Sequence, residues 1–147
     1  AERQEKIDAL KAQTEKNPQD IAAWVGLGHQ YFDAGLPDEA IAAYEKALAL
    51  EPENADVWTD LGVMHRRSGN PEEAIAAFDR AMTIDPSHEI SRFNKGIVLF
   101  HDLKDEKGAL VAWESLLAIN PKAKSPSGQT LQELVDHIKG NHQEKNE

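Results

Sequence analysis

Residues 58–86, WTDLGVMHRRSGNPEEAIAAFDRAMTIDP, decide the fold because residues 24–52, WVGLGHQYFDAGLPDEAIAAYEKALALEP, precede them at an offset of 34. Trp24, Leu27, Gly28, Tyr31, Gly35, Ala40, Tyr44, Ala47 and Pro52 recur as Trp58, Leu61, Gly62, His65, Gly69, Ala74, Phe78, Ala81 and Pro86. Self-similarity at a fixed period of this size marks a stacked repeat architecture. Within each copy the apolar residues follow two helical faces. Trp24, Leu27, Gly28 and Tyr31 fall at i, i+3, i+4 and i+7, and Ala40, Ile41, Tyr44, Ala47 and Leu48 repeat the pattern further on. Small residues let two helix backbones approach closely, and the aromatic residues fill the space they leave.

The turns between the helices are also legible. Asn70-Pro71-Glu72-Glu73 predicts an N-cap Asn, a first-turn Pro and a Glu three residues after the cap. Asp105 takes the same place in the third copy, whereas Leu36 cannot cap, so Pro37 alone marks that start. Asp20 and Asn54 stand where the next helix needs a cap, and Pro52, Pro86 and Pro121 stop the helices before them. The third copy gains one residue, since Gly96 to Ala109 is thirteen steps and Gly62 to Ala74 is twelve. Arg92 and Lys95 stand where Trp and Leu stood before. Their aliphatic stems can cover apolar surface with the charge in water, which fits a loosened terminal face or a basic contribution to a groove.

This pattern resembles the tetratricopeptide repeat, W-x-x-L-G-x-x-Y followed by Ala, an aromatic and Pro. The resemblance implies an all-α, right-handed superhelical solenoid of helix–turn–helix units with a C-terminal capping helix. The expected organisation is one domain over 1–147. It has an N-terminal half-repeat helix at 2–20, repeats at 21–54, 55–88 and 89–123, a capping helix at 129–140 and a polar, frayed tail at 141–147. The cap is read from Leu131, Leu134, Val135 and Ile138, started by Thr130-x-x-Glu133 and ended at Gly140. A linker over 122–128 precedes it.

Composition narrows the function. The chain has 147 residues, no cysteine and a formal charge of −10, with 40% hydrophobic residues. The acidity argues against nucleic acid and anionic membrane surfaces, which need clustered Lys and Arg. No apolar run is long enough to span a bilayer. No P-loop, HExxH, GxSxG or Cys/His cluster is present, so no cofactor, metal or enzymatic activity is expected. His29, His65 and His101 are spaced by 36, not 34, so each successive ring is rotated about 200° around its helix. They do not form a ligand set.

The family resemblance implies a concave groove lined by the first helix of each repeat. Its expected residues are Val25, His29, Phe32 and Asp33 in the first repeat. The second supplies Asp56, Thr59, Asp60, Val63, Arg66 and Arg67. The third supplies Ile90, Phe93, Asn94, Ile97, Phe100 and His101. Such a mixture suits a peptide, with apolar pockets for side chains and polar groups to fix direction. Arg66 and Arg67 are the candidates for gripping an acidic group, or for pairing with Asp33 or Asp60. The clamp by which some family members hold the C-terminal carboxylate of heat-shock chaperones needs Lys, Arg and Asn at set positions. Here those positions hold Val25, His29, Asp60, Ile90 and Asn94, so the clamp is absent.

The expected partner is therefore a protein or peptide, with the chain as a scaffold or assembly factor. The alternative is a homo-oligomer that stacks through its terminal helices. Local strings such as Asp60 to Arg67, Arg92-Phe93-Asn94 and Trp113 to Leu117 look like bacterial repeat proteins tethered by an N-terminal membrane helix, including the repeat domains of cytochrome c biogenesis factors. The resemblance implies a cytoplasmic or periplasmic location with any tether lying upstream of Ala1.

Overall fold

A computed structural model describes the backbone of residues 1–146 and the side chains of residues 1–141. Among the described residues the regular structure is helical, with one isolated antiparallel bridge between Lys124 and Thr130. The chain divides into two compact units, Ala1–Pro86 and Ser87–Glu147. The division falls just before the repeat whose Trp and Leu positions hold Arg92 and Lys95.

Unit 1 contains α1 (Glu2–Lys16), α2 (Ile21–Asp33), α3 (Pro37–Leu50), α4 (Ala55–Arg67) and α5 (Pro71–Ile84). Its core joins Tyr44, Leu48, Leu61 and Met64 with Val57 and Ala77, and a second cluster joins Ile7, Leu27 and Ala43. The half-repeat helix α1 buries only Ile7 and Thr14, matching its thin apolar content. Trp24 and Trp58 do the same work one period apart: each indole N–H donates to the carbonyl of a proline six residues earlier, Pro18 and Pro52, at 2.8 Å.

Helix starts follow the chemistry of orphan backbone donors. Asp20 accepts from the Ala23 N–H at 3.0 Å, Asn54 from Val57 at 3.1 Å and Asp105 from Gly108 at 2.9 Å. Asn70 departs from expectation, because its side chain makes no capping bond. Its backbone N–H instead closes the preceding turn on the His65 carbonyl at 2.8 Å. That turn needs Gly69 at φ +81, as the equivalent turn needs Gly35 at φ +73.

Asp20 carries a pH dependence. The Ala23 N–H, and secondarily the Gln13 amide, hold its carboxyl below the ordinary value of 3.8. The native state therefore favours the ionised form. The stabilisation is present above the ordinary value and is lost as the pH falls through the lower native one. Asp20→Asn keeps an acceptor but removes this titration. Its urea midpoint should fall less than that of the parent chain between about pH 4 and about pH 2.5. Parallel profiles for the two proteins would contradict this.

Unit 2 contains α6 (Glu89–Ile97), a π-helical segment Val98–Asp102, α7 (Glu106–Ile119) and α8 (Leu131–Asn146). The π segment is where the extra residue of the third repeat goes. Its wider turn is closed by the Leu103 N–H on the Val98 carbonyl at 3.1 Å. Lys104 then takes the left-handed turn position that Gly35 and Gly69 hold earlier, at φ 55. Helix α8 corrects two expectations. It continues through Gly140 to Asn146, so residues 141–146 are helical in backbone rather than a frayed tail, and Glu147 lies outside the described residues. The segment after Pro121 is a bonded turn rather than an open linker.

Candidate functional site

The expected groove residues fall into two sets, one in each unit. In unit 1, α2 and α4 bring together His29 with Asp60, and Phe32 with Arg67. His29 Nδ1 lies 2.7 Å from the Tyr44 hydroxyl and 3.9 Å from Asp60 Oδ2. Tyr44 is fully buried in the core, with its ring edge-on to His29. Burial first, then the negative charges of Asp60 and Asp33, push its phenol well above the ordinary value. The phenol therefore stays protonated, and its O–H is available to donate to His29. The Arg67 guanidinium lies 4.7 Å above the centre of the Phe32 ring, a cation–π contact. For Arg67 this is a different contact from the pairing with Asp33 or Asp60 considered for the two arginines. Arg66 is exposed, and Val25 and Val63 are half-buried against the core.

Thr59 corrects an expectation. It is buried, and its hydroxyl donates to the Ala55 carbonyl one turn back at 2.8 Å. It therefore presents no free hydroxyl to a ligand.

In unit 2, Phe93 and Phe100 flank Trp113, with ring centres 6.3 and 5.8 Å away. Trp113 is buried and its indole N–H donates to the Phe93 carbonyl at 3.1 Å. His101 is exposed and stands edge-on to Phe100. Asn94 and Ile97 are half-buried, and Ile90 is 62% exposed. Arg92 reaches Ser115 Oγ through Nη1 at 3.2 Å. Ile90, Phe93 and Asn94 line a cleft of about 390 Å³ whose other wall is the turn at Ala123–Pro126.

Two further clefts were not anticipated. One, of about 560 Å³, lies among α3, α4 and α5, and the other, of about 330 Å³, among α1, α2 and α3. Each residue lining the first is 34 positions after one lining the second: Trp58, Leu61, His65 and Ala77 answer to Trp24, Leu27, Tyr31 and Ala43, and the rest likewise. The packing positions recur, so the space left between them recurs as well. His65 was expected to point inward. It is half-buried at the edge of the larger cleft, and its Nδ1 atom is buried without a hydrogen-bond partner.

Charge separates the units. Residues 1–86 hold 17 Asp and Glu against 8 Lys and Arg, while residues 87–147 hold 9 against 8. Unit 1 therefore carries nearly all of the net negative charge. Among the described residues no three His, Cys, Asp or Glu side chains gather where they could hold a metal ion. Among them, no helix is long and apolar enough to cross a membrane.

The glycine turns at Gly35 and Gly69 and the seating of Tyr44 and Phe78 over Gly28 and Gly62 repeat with the sequence period, and a family model for the tetratricopeptide repeat matches residues 25–89. These residues are tetratricopeptide repeats. Comparison with curated proteins found no significant match. Solved structures of the repeat fold are similar over most of the chain. One crystal structure of MamA is 26% identical with a TM-score of 0.76, covering 80% of this chain and 68% of that one. A second, at 25% identity and a TM-score of 0.80, covers 94% and 74%. The first repeat domain of Spaghetti (RPAP3), bound to the HSP90 peptide SRMEEVD, is 21% identical with a TM-score of 0.71, covering 84% and 93%. That last likeness is one of fold alone.

Proposed function

We propose that the chain is a protein-binding scaffold, an assembly factor rather than a catalyst, and that the α2–α4 face of unit 1 is one place where it holds a peptide. The observation that carries this is the Phe32–Arg67 pair beside His29 and Asp60. A half-buried aromatic ring lies under a guanidinium, with an acid and an imidazole next to it, on residues spaced to face outward from two adjacent helices. The ring offers apolar contact, and the charged groups fix orientation. The Spaghetti (RPAP3) domain is seen with a peptide, so the fold accommodates one. The residues at the carboxylate-clamp positions here do not favour a terminal carboxylate.

The test is affinity capture with the full chain and with Phe32→Ala and Arg67→Ala variants, read by mass spectrometry and then by calorimetry on the captured partner. Each variant should weaken binding by roughly 1–2 kcal/mol, the range where interface residues begin to matter. Unchanged affinity in both, with the helical content intact, removes this face from the binding surface.

A further inference from the structure

Unit 2 ends in a feature that the repeat pattern does not supply. After α7, the Lys122 N–H donates to Asn120 Oδ1 at 3.1 Å and the Ala123 N–H to the Asn120 carbonyl at 3.0 Å, which turns the chain back. Ala123 is buried. Residues 123–131 then form a short hairpin. The Leu131 N–H donates to the Ala123 carbonyl at 2.9 Å, and the Ser125 N–H to the Gln129 carbonyl at 2.8 Å. The Gly128 N–H closes the turn on Ser125 at 3.0 Å. In this register Lys124 and Thr130 are opposite each other as a pair that exchanges no hydrogen bonds. The N–H and C=O of Lys124 therefore point away from Thr130, and neither has a hydrogen-bond partner among the described residues.

That unpaired edge borders the 390 Å³ cleft. Residues 123–126 line it, and their ladder partners at 129–131 do not. Across the cleft stand Ile90, Phe93 and Asn94 of α6, with Leu116 of α7 between the walls. The half-buried Asn94 side chain makes no hydrogen bond among the described residues. A free strand edge on one wall, a free amide on the other and an apolar floor suit an extended chain. Strand addition supplies main-chain hydrogen bonds, and alternate side chains enter the floor.

Charge selects among extended chains. On the hairpin wall, from Pro121 to Gln132, there is no acidic residue, and Lys122 and Lys124 are exposed without an ion pair among the described residues. Glu89 also lines the cleft, on the α6 side, where its Oε1 accepts from Asn120 Nδ2 at 2.9 Å, so the basic side of the site is the hairpin. Unit 2 is close to neutral, so it does not repel an acidic segment as unit 1 would. We infer that unit 2 binds an extended acidic peptide by strand addition along Lys124, with a large apolar side chain seated against Ile90, Phe93 and Leu116. This rests on the peptide-binding reading but adds a second site of different construction, one that needs no terminal carboxylate.

The probe is an acetylated and amidated heptapeptide alternating glutamate and leucine, titrated into the full chain and followed by amide and methyl NMR shifts. Shifts should concentrate at Ile90, Asn94, Lys124 and Ser125. N-methylation of one alternate set of peptide nitrogens should weaken binding at least tenfold, and N-methylation of the other set should not, because only one edge of the peptide pairs. Lysine in place of glutamate in the peptide, or Lys124→Glu in the protein, should each weaken binding about tenfold or more. Lys124 is exposed, so that variant should keep its fold. Equal binding of both N-methylated sets, or no shift at Ile90, Asn94 and Lys124, overturns the inference. A peptide that shifts only His29, Phe32 and Arg67 would overturn it while leaving the unit 1 reading standing. Shifts at the hairpin, with Phe32→Ala and Arg67→Ala silent toward a captured partner, would do the reverse.

Discussion

Alanine at Gly62 should destabilise unit 1 by about 2 kcal/mol, although alanine is the better helix former by nearly 1 kcal/mol in isolation. The reason is the ring that glycine admits. A Cβ at position 62 would stand 2.5 Å from Phe78 Cε1 and 2.8 Å from its Cδ1. Phe78 is 1% exposed, so its ring has no free space to move into. Gly28 meets Tyr44 and Gly96 meets Trp113 in the same way. The same substitution should change sign at Gly140, where nothing lies within 4 Å of the added carbon and the residue sits inside α8. There the helix preference acts alone and alanine should stabilise by up to about 1 kcal/mol. Urea unfolding of the two variants, with Gly62→Ala/Phe78→Leu as a partial rescue, measures this directly. A neutral or stabilising Gly62→Ala would mean that the glycine–aromatic contact is not what sets the spacing of α4 and α5.

That contact explains why so much of the fold is legible. Gly28, Gly62 and Gly96 each pair with a ring in the following helix, and the sequence states both partners, sixteen residues apart in the first two copies and seventeen in the third, which carries the extra residue. The caps at Asp20, Asn54 and Asp105 are legible for a similar reason, since each depends on one side chain and a backbone N–H three residues on. What was not legible depends on which of two acceptable partners wins. Asn70 has the right chemistry for a cap, yet its side chain makes no capping bond. The extra residue of the third repeat was countable, but nothing in its identity said that a π turn at Val98–Asp102 would absorb it. The candidate site was less legible than the fold. The family resemblance implied groove positions for His29, Phe32, Asp60 and Arg67, but it could not say that Arg67 would choose the Phe32 ring over a carboxylate. It also counted Thr59 as lining, whereas the structure shows it buried with its hydroxyl spent on the helix backbone. The two recurrent clefts follow from the period itself, since the gaps recur with the packing positions, but residue spacing does not give the size of a gap.

Removing the chain after Lys124 should have the largest effect of any change considered, confined at first to unit 2. Helix α8 buries Leu131, Val135 and Ile138 to 0%, 1% and 4% exposure and half-buries Leu134. It packs on α7, and Lys139 pairs there with Glu114. That exposed ion pair adds little. The apolar side chains decide the outcome: full burial of each is worth roughly 1.5–3 kcal/mol as an upper estimate, before the cost of ordering the helix. Truncation also exposes the α7 surface that they cover and cuts the hairpin that holds Ala123 in place. An isolated helix of this length is marginal in water, so α8 depends on α7 as much as α7 on α8. Hydrogen exchange on full-length and truncated protein should therefore show protection over residues 89–121 falling at least tenfold, with earlier aggregation on heating. Protection over residues 21–50 should change least, because repeats couple to their neighbours and this one is farthest along the chain from the cut. Equal protection of residues 89–121 in the two proteins would show that α8 is not a structural cap. Its apolar stripe would then have to be explained by something outside the chain that covers it.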